Sequence, residues 1–396
     1  MSATPPLAGD GEVRSVVPEA VVRARAYLSR VAEPPTPALA RFVDVMGPVT
    51  AAARVWAGDV PDAVAAETAA RRAVDRIEAD LAAARAAGAR LLVPEDPDWP
   101  HWALAPLTLA GTPELAPPVA LWVRGPCGLA AASERAVAVV GARAATGYGT
   151  HLAGEFGAGL AGAGATVVSG AAIGIDAAAH RGALAGDGPT VAVLACGVDR
   201  AYPATHGTLL DRIAGTGLVV TEYPPGSVPA RHRFLVRNRL IAALGNGTLV
   251  VEAALRSGAR RTAADTRALG RLVMAVPGPV TSGLSAGCHQ LIRDGALLVT
   301  RPEEVLEAVG RLGDDLADNP TDGAATRPTD GLDGAAALVH DALPARGVRD
   351  ARWLAREAGL PPDAVRAALT ELERRGFARS RDGLWQLVPV RTGGDA

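Results

Sequence analysis

The sequence contains no lysine, so all 40 of its lysine-plus-arginine residues are arginines. Without lysine there is no GxxxxGK[ST] phosphate loop, which excludes ordinary P-loop NTPase chemistry. Cysteine is also scarce, and Cys127, Cys196 and Cys288 stand far apart and form no CxxC pair. Their spacing fits a reducing compartment and offers no metal site, so we expect no bound metal or cofactor.

The chain also lacks a secretory or membrane-spanning signal. Its amino terminus has no apolar core of the kind found in signal peptides, so we expect a cytoplasmic protein with no membrane partner. Residues 156–175 carry no charge, but their glycines favour the end of a helix, a turn and a buried strand over a membrane span. The formal net charge is −2, which taken alone argues against nucleic-acid binding.

Composition divides the 396 residues into several segments. Residues 1–20 are rich in proline, glycine and small side chains and are predicted to be disordered. Residues 21–110 form the predicted helical N-terminal domain, with a helical pattern up to about residue 87 that is clearest over residues 65–87, and a short strand and turn after it. Residues 111–134 are interpreted as a connecting segment. Residues 311–334 have almost no apolar side chain and are predicted to be a flexible linker.

Residues 135–310 show an alternation of strands and helices. About seven short apolar runs rich in β-branched residues alternate with helical segments, which is typical of a parallel sheet buried on both faces. The predicted fold class is therefore α/β, a Rossmann-like doubly wound and mostly parallel sheet with a helical N-terminal region. Residues 335–390 contain three helical segments and a hairpin turning at residues 381–383, the order of a C-terminal winged-helix domain.

Two turns that follow predicted strands of this sheet are candidates for phosphate binding. The first runs from Gly141 to Arg143, where free backbone N–H groups, the dipole of the following helix and the arginine charge would all favour an anion. The second begins at Ser169 and Gly170 and could hold another phosphate beside the first. Glycines needed only for the geometry of a tight turn are the alternative explanation.

Two further patterns suggest chemistry but have simpler explanations. Asp176 and His180 share a helix face, and we interpret them as a local hydrogen-bonded pair because no nucleophile or second carboxylate accompanies them. Residues 157–162 match GxGxxG literally, but they lie within a helix and not directly after a strand. We therefore expect these glycines to serve packing of the helix against the sheet.

Residues 226–271 are strongly basic, with nine arginines against Glu252 and Asp265 as the only acids. Within this segment, residues 231–239 interleave arginines with Phe234 and Asn238 at a predicted strand-to-helix turn. Arginines can follow a phosphate backbone while an aromatic ring stacks on a base. A solvated charged face, with the ring in the core, is the alternative, but the pattern favours nucleic-acid binding.

At these residues the sequence resembles the DNA-processing protein A (DprA/Smf) family. The matching segments are GxR at Gly141–Arg143 with Tyr148-Gly149 after it, SGxxxGIDxxAH at Ser169–His180, VLxxGxxxxYP at Val193–Pro203, ExPxG at Glu222–Gly226, FxxRNRxIAxL at Phe234–Leu244, VVEA at Val250–Ala253, SGxxxTA at Ser257–Ala263, VPG at Val276–Gly278 and SxGxxxLIxxGA at Ser285–Ala296. These motifs cover the whole α/β domain in order.

The resemblance implies a non-enzymatic homodimer that binds single-stranded DNA without ATP. It also implies that the protein loads RecA recombinase onto this DNA and protects incoming DNA during natural transformation. The DNA-binding residues that we predict, from the resemblance and the basic pattern together, are Gly141, Arg143, Ser169, Gly170, Arg231, Phe234, Arg237, Asn238, Arg239 and Arg260.

The sequence departs from the family pattern at three places. Ile173 stands where a basic residue is common, and His289 stands where an asparagine is common. Arg260 and Arg261 occupy positions that are usually apolar, and either could compensate for the charge missing at Ile173. The contact expected near Ile173 is therefore in question.

Two other functions fit parts of the sequence. A nucleotide-processing enzyme of the phosphoribohydrolase type would use glycines to hold phosphate and a glutamate beside the sugar, but its contiguous PGGxGTxxE motif is missing. A winged-helix transcriptional regulator would read duplex DNA with its C-terminal domain. The arginine-rich segment lies in the α/β domain, which counts against that regulator.

Overall fold

A computed structural model of the chain describes residues 17–310, 332–344 and 347–388. These residues belong to two compact units, with the division at Ala317 and Asp318. Most of the predicted disordered amino terminus and most of the predicted linker lie outside the described residues. The first described helix begins at Glu19, two residues before the predicted start of the helical domain.

The first unit begins with helices that only partly follow the predicted pattern. They are α1 (Glu19–Val31), α2 (Pro37–Met46), α3 (Pro48–Ala57), α4 (Asp62–Thr68) and α5 (Ile77–Ala86). Residues 65–87 do not form one helix, because the chain turns between α4 and α5. Arg71 and Arg76 in this break pair with Glu33 and Asp80. The break between α4 and α5 therefore contains arginines that pair with carboxylates outside it, although the surrounding sequence is rich in alanine, which favours helix.

The central sheet contains all seven strands predicted for residues 135–310, and two more from the preceding segments. The strands are β1 (Ala89–Leu92), β2 (Leu121–Arg124), β3 (Ala136–Val140), β4 (Thr166–Ser169), β5 (Thr190–Leu194), β6 (Leu218–Thr221), β7 (Gly247–Val250), β8 (Leu272–Ala275) and β9 (Leu297–Leu298). Their order is β1-β2-β6-β5-β4-β3-β7-β8-β9. The pairs β1–β2 and β2–β6 are antiparallel, and the other pairs are parallel.

The participation of β1 and β2 changes the domain boundaries expected from sequence. Both strands come from segments interpreted as an N-terminal domain and a connection, yet Trp122 of β2 is fully buried in the shared core. In the antiparallel pairing of β2 with β6, Trp122 lies opposite Thr221. Residues 89–310 therefore contribute to one sheet, and the α/β core begins well before residue 135.

Helices cover both faces of this sheet. They are α6 (His101–Leu109), α7 (Leu129–Glu134), α8 (Gly147–Gly162), α9 (Ile175–Ala185), α10 (Gly207–Thr216), α11 (Arg231–Leu244), α12 (Gly258–Ala268), α13 (Ala286–Arg293) and α14 (Pro302–Val309). Alternate residues of β3 point to opposite faces, as strand geometry requires. Val139 packs in the core with Phe156 of α8, and Val140 packs in the core with Ile241 of α11. The continuous apolar pattern of β3 follows from this double burial.

The uncharged residues 156–175 contain the end of α8, a turn and β4, as predicted, and then the loop that leads into α9. Among the residues that the structure describes, no helix is both long and apolar enough to cross a membrane. The GxGxxG match lies within α8, so the prediction that it is not a dinucleotide turn is confirmed for its position. However, Gly157 faces α9 and not the sheet: a Cβ there would collide with the carbonyl oxygen of Ala179. Its role is close helix–helix contact.

We expect Gly157→Ala to lower the free energy of unfolding by about 1–3 kcal/mol, because the added methyl group meets backbone atoms that have little room to move. Gly154→Ala is the matched control on the same helix, since a Cβ there meets nothing within 4 Å. Alanine favours helix over glycine by roughly 0.5–1 kcal/mol, so the control should be neutral or stabilising. Urea unfolding of both variants measures the difference, and equal stability would contradict the close contact.

The second unit contains three helices and a small sheet within its described residues. They are α15 (Gly334–Ala342), β10 (Arg349–Asp350), α16 (Ala351–Ala358), α17 (Pro362–Arg374), β11 (Ala378–Arg381) and β12 (Leu384–Leu387), with strand order β10-β12-β11. Asp382 and Gly383 both have positive φ at the hairpin turn, where glycine is favoured. The helices and the hairpin occur in the predicted order, while assignment to the winged-helix fold stays a prediction.

Candidate nucleic-acid interface

An open cleft of about 810 Å³ lies at the carboxyl edge of the parallel strands. Its lining includes the loop after β3, part of the loop after β4, the first half of α11 and the start of α12. β3 lies between β4 and β7, so the connections leave β3 and β7 in different directions. Doubly wound sheets bind ligands at this kind of switch point, since the loops diverge and leave a crevice.

The turn after β3 places Arg143 at the cleft, but it does not leave a free helix terminus. Glu252 accepts hydrogen bonds from the backbone N–H of Thr146 (2.9 Å) and from its Oγ1 (2.6 Å). This buried carboxylate therefore occupies the amino end of α8, where we expected a phosphate. Gly141 packs so closely on Ile175 that no side chain fits there. The glycine serves geometry, and the exposed Arg143 carries the charge.

The turn after β4 also differs from the predicted phosphate site. Ser169 is fully buried, and its Oγ donates to the carbonyl oxygen of Val139 at 2.6 Å. It therefore cannot contact a ligand in the cleft, and the prediction for Ser169 is corrected. Gly170 is buried above Arg237, whose guanidinium would collide with any Cβ at this position. Ser169 and Gly170 therefore lie beneath the floor of the cleft and do not line it.

Asp176 and His180 do not form the local pair that we expected. The Nδ1 atom of His180 lies 2.7 Å from Thr190 Oγ1, and burial lowers the pKa of His180 to about 3. The Asp176 carboxylate accepts from the N–H of Ala172 at 3.4 Å. Burial raises the pKa of Asp176, while the nearby Arg237 guanidinium opposes that rise. The two side chains thus have separate structural partners.

The arginine-rich run forms the first part of α11 and not a turn. Helical geometry distributes consecutive side chains over all faces, so arginines two residues apart do not point the same way. Arg231 is exposed at the cleft, whereas Arg237, Asn238 and Arg239 are buried. The basic run therefore does not form a single charged surface.

Arg233 and His232 hold the amino-terminal helices against α11. Arg233 donates to both oxygens of Glu33, at 2.7 Å and 2.9 Å, and His232 and Arg71 also contact this carboxylate. Burial pushes the pKa of Glu33 upward, but the hydrogen bonds from Arg233, His232 and Arg71 lower it to about 2. Glu33 therefore remains ionised and neutralises part of the basic run.

Arg237 lies under the cleft with its side chain almost fully buried. Its Nη1 donates to the carbonyl oxygens of Gly170, at 2.8 Å, and Val193. Burial lowers the pKa of Arg237 to about 10, and the charge of Asp176 partly compensates. Because the cleft lining includes both Arg237 and Asn238, these two predicted residues face the site from its floor.

Arg239 points into the core and cannot reach the cleft. Only 1% of its surface is exposed, and Nη2 donates to both oxygens of Glu222, at 2.6 Å and 2.7 Å. Burial raises the pKa of Glu222 and the adjacent guanidinium opposes the rise. Our prediction that Arg239 contacts DNA is wrong, because its guanidinium group lies in the core against the buried Glu222 carboxylate.

The remaining arginines of the basic segment are also largely engaged. Arg260 donates to the carbonyl oxygen of Leu255 at 2.6 Å, and Arg261 pairs with Asp265 at 2.9 Å. The described lining of the cleft includes neither of them. Ile173 is 57% exposed and carries no charge, so neither arginine is shown to replace a basic side chain there. Arg267 and Arg271 donate to backbone carbonyl groups.

An aromatic pair at the cleft is the feature that sequence reasoning found only in part. The ring centroids of Phe234 and Tyr202 are 5.1 Å apart, with the planes inclined at 47°. The guanidinium carbon of Arg143 lies 5.1 Å from the Phe234 centroid. Tyr202 was visible in the VLxxGxxxxYP motif, but its role was not assigned. The scarcity of Phe, Tyr and Trp, 14 residues in the whole chain, was the sequence signal that could have singled out Tyr202.

The described residues offer no metal-binding group of three or more histidine, cysteine, aspartate or glutamate side chains. His289, at the other sequence departure, contacts the carbonyl oxygen of Gly278 at 3.0 Å through Nε2.

In the second unit, Arg374 and Arg375 of α17 both pair with Glu371. Their exposed ion pairs reduce the charge that this helix presents to a polyanion.

This chain resembles known proteins in both sequence and structure. A family model described as DNA recombination-mediator protein A matches residues 90–310. The chain is 51% identical over 374 residues to a DNA processing protein, DprA, of Mycobacterium tuberculosis, covering 94% of this chain and 95% of that protein. It is 47% identical over 135 residues to DNA processing protein DprA of Streptococcus pneumoniae, covering 34% and 48% of the two chains.

A solved structure also resembles this chain. The X-ray structure of DNA processing protein A from Streptococcus pneumoniae aligns with a TM-score of 0.54 and 33% sequence identity. The alignment covers 69% of this chain and 87% of that chain. Every residue that lines the cleft falls within residues 90–310, the range matched by the family model.

Proposed function

This chain belongs to the DNA recombination-mediator protein A family, and from that premise we propose that it binds single-stranded DNA in the cleft at the carboxyl edge of its sheet. The observation that carries this proposal is the arrangement of Arg143, Phe234 and Tyr202. A guanidinium group lies against one aromatic ring, and a second ring adjoins it, at the opening of a cleft. These groups can stack on a base and neutralise the adjacent phosphate.

The charge around the cleft supports binding of a polyanion despite the negative net charge of the chain. Arg143 and Arg231 are exposed there, and neither forms an ion pair with another described residue. Each is therefore available to a phosphate without first breaking an internal salt bridge. Most other arginines of the basic segment are engaged, so a few side chains carry the interaction.

The partly exposed Phe234 ring favours a single strand over a duplex. A ring can stack on a base only when that base is not stacked between its neighbours and paired with a complementary strand. Binding by stacking and phosphate contact requires no nucleotide hydrolysis, so we propose a binding protein and not an enzyme. The separate structural partners of Asp176 and His180 agree with this proposal.

Fluorescence anisotropy with a labelled oligothymidylate and a blunt duplex tests the function directly. Without any nucleotide cofactor, we expect the single strand to bind more tightly, and its affinity to fall as salt rises because bound counterions are released. A strong preference for a palindromic duplex would instead support a transcriptional regulator. Turnover of nucleoside monophosphates would support a phosphoribohydrolase-like enzyme.

We propose in addition that the protein acts as a cytoplasmic homodimer that loads RecA recombinase onto the bound strand, protecting incoming DNA in natural transformation. Family membership and the motifs across the α/β core support this proposal. Light scattering measures the number of copies in solution. Added protein should increase RecA activity on a strand already coated by single-strand-binding protein, and unchanged activity would contradict loading.

A further inference from the structure

The amino end of α12 lines the cleft, and no carboxylate of the described residues is hydrogen-bonded to it. Helix α12 has 11 residues, and Ser257, Gly258 and Ala259 at its start all line the cleft. Ser257 occupies the N-cap position, yet its side chain makes no capping hydrogen bond. The first backbone N–H groups of a helix have no partner within the helix and attract negative charge.

Two polar side chains beside this helix terminus make no hydrogen bond to another described residue. Ser257 Oγ is buried with no hydrogen-bond partner. Asn238 is only 8% exposed, lines the same cleft, and its side-chain amide makes no hydrogen bond to any other described residue. A buried hydroxyl such as that of Ser257 is normally paired, because losing water without gaining a new partner is unfavourable. A ligand oxygen could satisfy both a hydroxyl and an amide donor.

The surroundings are suitable for a negatively charged oxygen. Arg256 directly precedes Ser257, is exposed, and forms no ion pair among the described residues. Gly258 has room for close approach, since even an added Cβ would meet nothing within 4 Å. Asp176 also lines the cleft, but Arg237 and Arg143 lie close enough to influence its charge.

We propose that the amino end of α12, together with Ser257 and Asn238, binds one phosphate group of the DNA strand. This inference rests on the proposed function, and it assigns a second point of contact in the cleft that Arg143 also lines. Backbone N–H groups of α12 would donate to the phosphate oxygens, and Ser257 and Asn238 would complete the shell. Phe234 lines the same cleft and is available to a base of that strand.

Gly258→Asp provides a test that does not depend on destabilising the protein. The new carboxylate at the first position of α12 should stabilise the helix terminus while competing with phosphate. We expect oligothymidylate affinity to fall by roughly ten- to a hundredfold. The slope of log affinity against log salt should decrease in magnitude by about 0.7, the value for one phosphate of a single strand. The melting temperature should not fall.

Gly334→Asp is the matched control, because it places the same charge at the first position of α15 in the second unit and its Cβ also has free space. Ser257→Ala gives a second measurement by removing the hydroxyl without adding charge, and it should weaken binding to a smaller extent. Equal binding by wild type, Gly258→Asp and Ser257→Ala would overturn the phosphate site while leaving single-strand binding intact.

The source of the phosphate is decided by a calorimetric titration with inorganic phosphate at constant ionic strength. Saturable phosphate binding that is lost in Gly258→Asp, with unchanged affinity for the strand, would identify a free-anion site and overturn the assignment to DNA. If wild type itself binds no oligothymidylate at low salt, the proposed function fails as well. The two failures are therefore distinguishable.

Discussion

Replacing Arg239 by leucine should lower the free energy of unfolding by about 3–5 kcal/mol, because it leaves the Glu222 carboxylate buried without its partner. Glu222 is 4% exposed, and both of its carboxylate oxygens accept a hydrogen bond from the Arg239 guanidinium. Guanidinium chloride unfolding at neutral pH measures the loss. DNA affinity of the folded variant should stay close to that of wild type, since Arg239 does not line the cleft.

The double variant Arg239→Leu/Glu222→Leu separates loss of the ion pair from creation of an unpaired charge. Atoms Nε and Nη1 of Arg239 are buried without partners, so the native pair does not satisfy all its donors. Replacing both charges by apolar side chains should recover much of the stability. If Arg239→Leu instead unfolds like wild type and loses DNA affinity, the residue contacts DNA in a conformation different from this one.

Removing Arg143 and Phe234 together should cause the largest loss of single-strand affinity, about 2–5 kcal/mol, because phosphate contact and base stacking are lost at once. Phe234→Ala alone should weaken binding by about 1–3 kcal/mol with little change in salt dependence, since stacking releases no counterions. Arg143→Ala alone should reduce the salt slope by about 0.7. Titrations with oligothymidylate over a salt series measure all three variants.

The two single effects should not add fully, because the Arg143 guanidinium lies on the Phe234 ring and removal of either changes the other. Arg85→Ala and Trp102→Ala are controls, since they remove an exposed arginine and an exposed aromatic residue that do not line the cleft. If Phe234→Ala lowers only the melting temperature and binds DNA normally when folded, the ring is part of the core and stacking is wrong.

The hydrophobic pattern of the sequence predicted the α/β region well, because strands that are buried on both faces are apolar at successive positions. The run of residues 136–140 is apolar without alternation, and each of these residues is buried between two layers of helices. Residues 89–92 and 121–124 lie outside the regular alternation of strands and helices in residues 135–310. Only their antiparallel pairing, β1 with β2 and β2 with β6, shows that they extend the same sheet.

Local pattern was less informative about the candidate site because helix termini can be occupied by distant side chains. The sequence predicted a phosphate at the turn after β3, but Glu252, 106 residues away from Thr146, takes that helix terminus. It also predicted Ser169 as a ligand contact, although the hydroxyl turns into the core toward Val139. Tyr202 reaches Phe234 from a different loop, which spacing alone could not establish.

The sequence by itself determined the family, the order of strands and helices in residues 135–310, and the concentration of arginine within and after α11. These follow from short-range motifs and from hydrophobic periodicity, which each segment carries independently of its neighbours. Only the tertiary structure decided which guanidinium groups are available to DNA. Arg233 is neutralised by Glu33, 200 residues away, Arg239 is buried against Glu222, and Arg143 remains exposed at the cleft. A charge acts on a ligand only if no internal partner already binds it, and folding sets those partners.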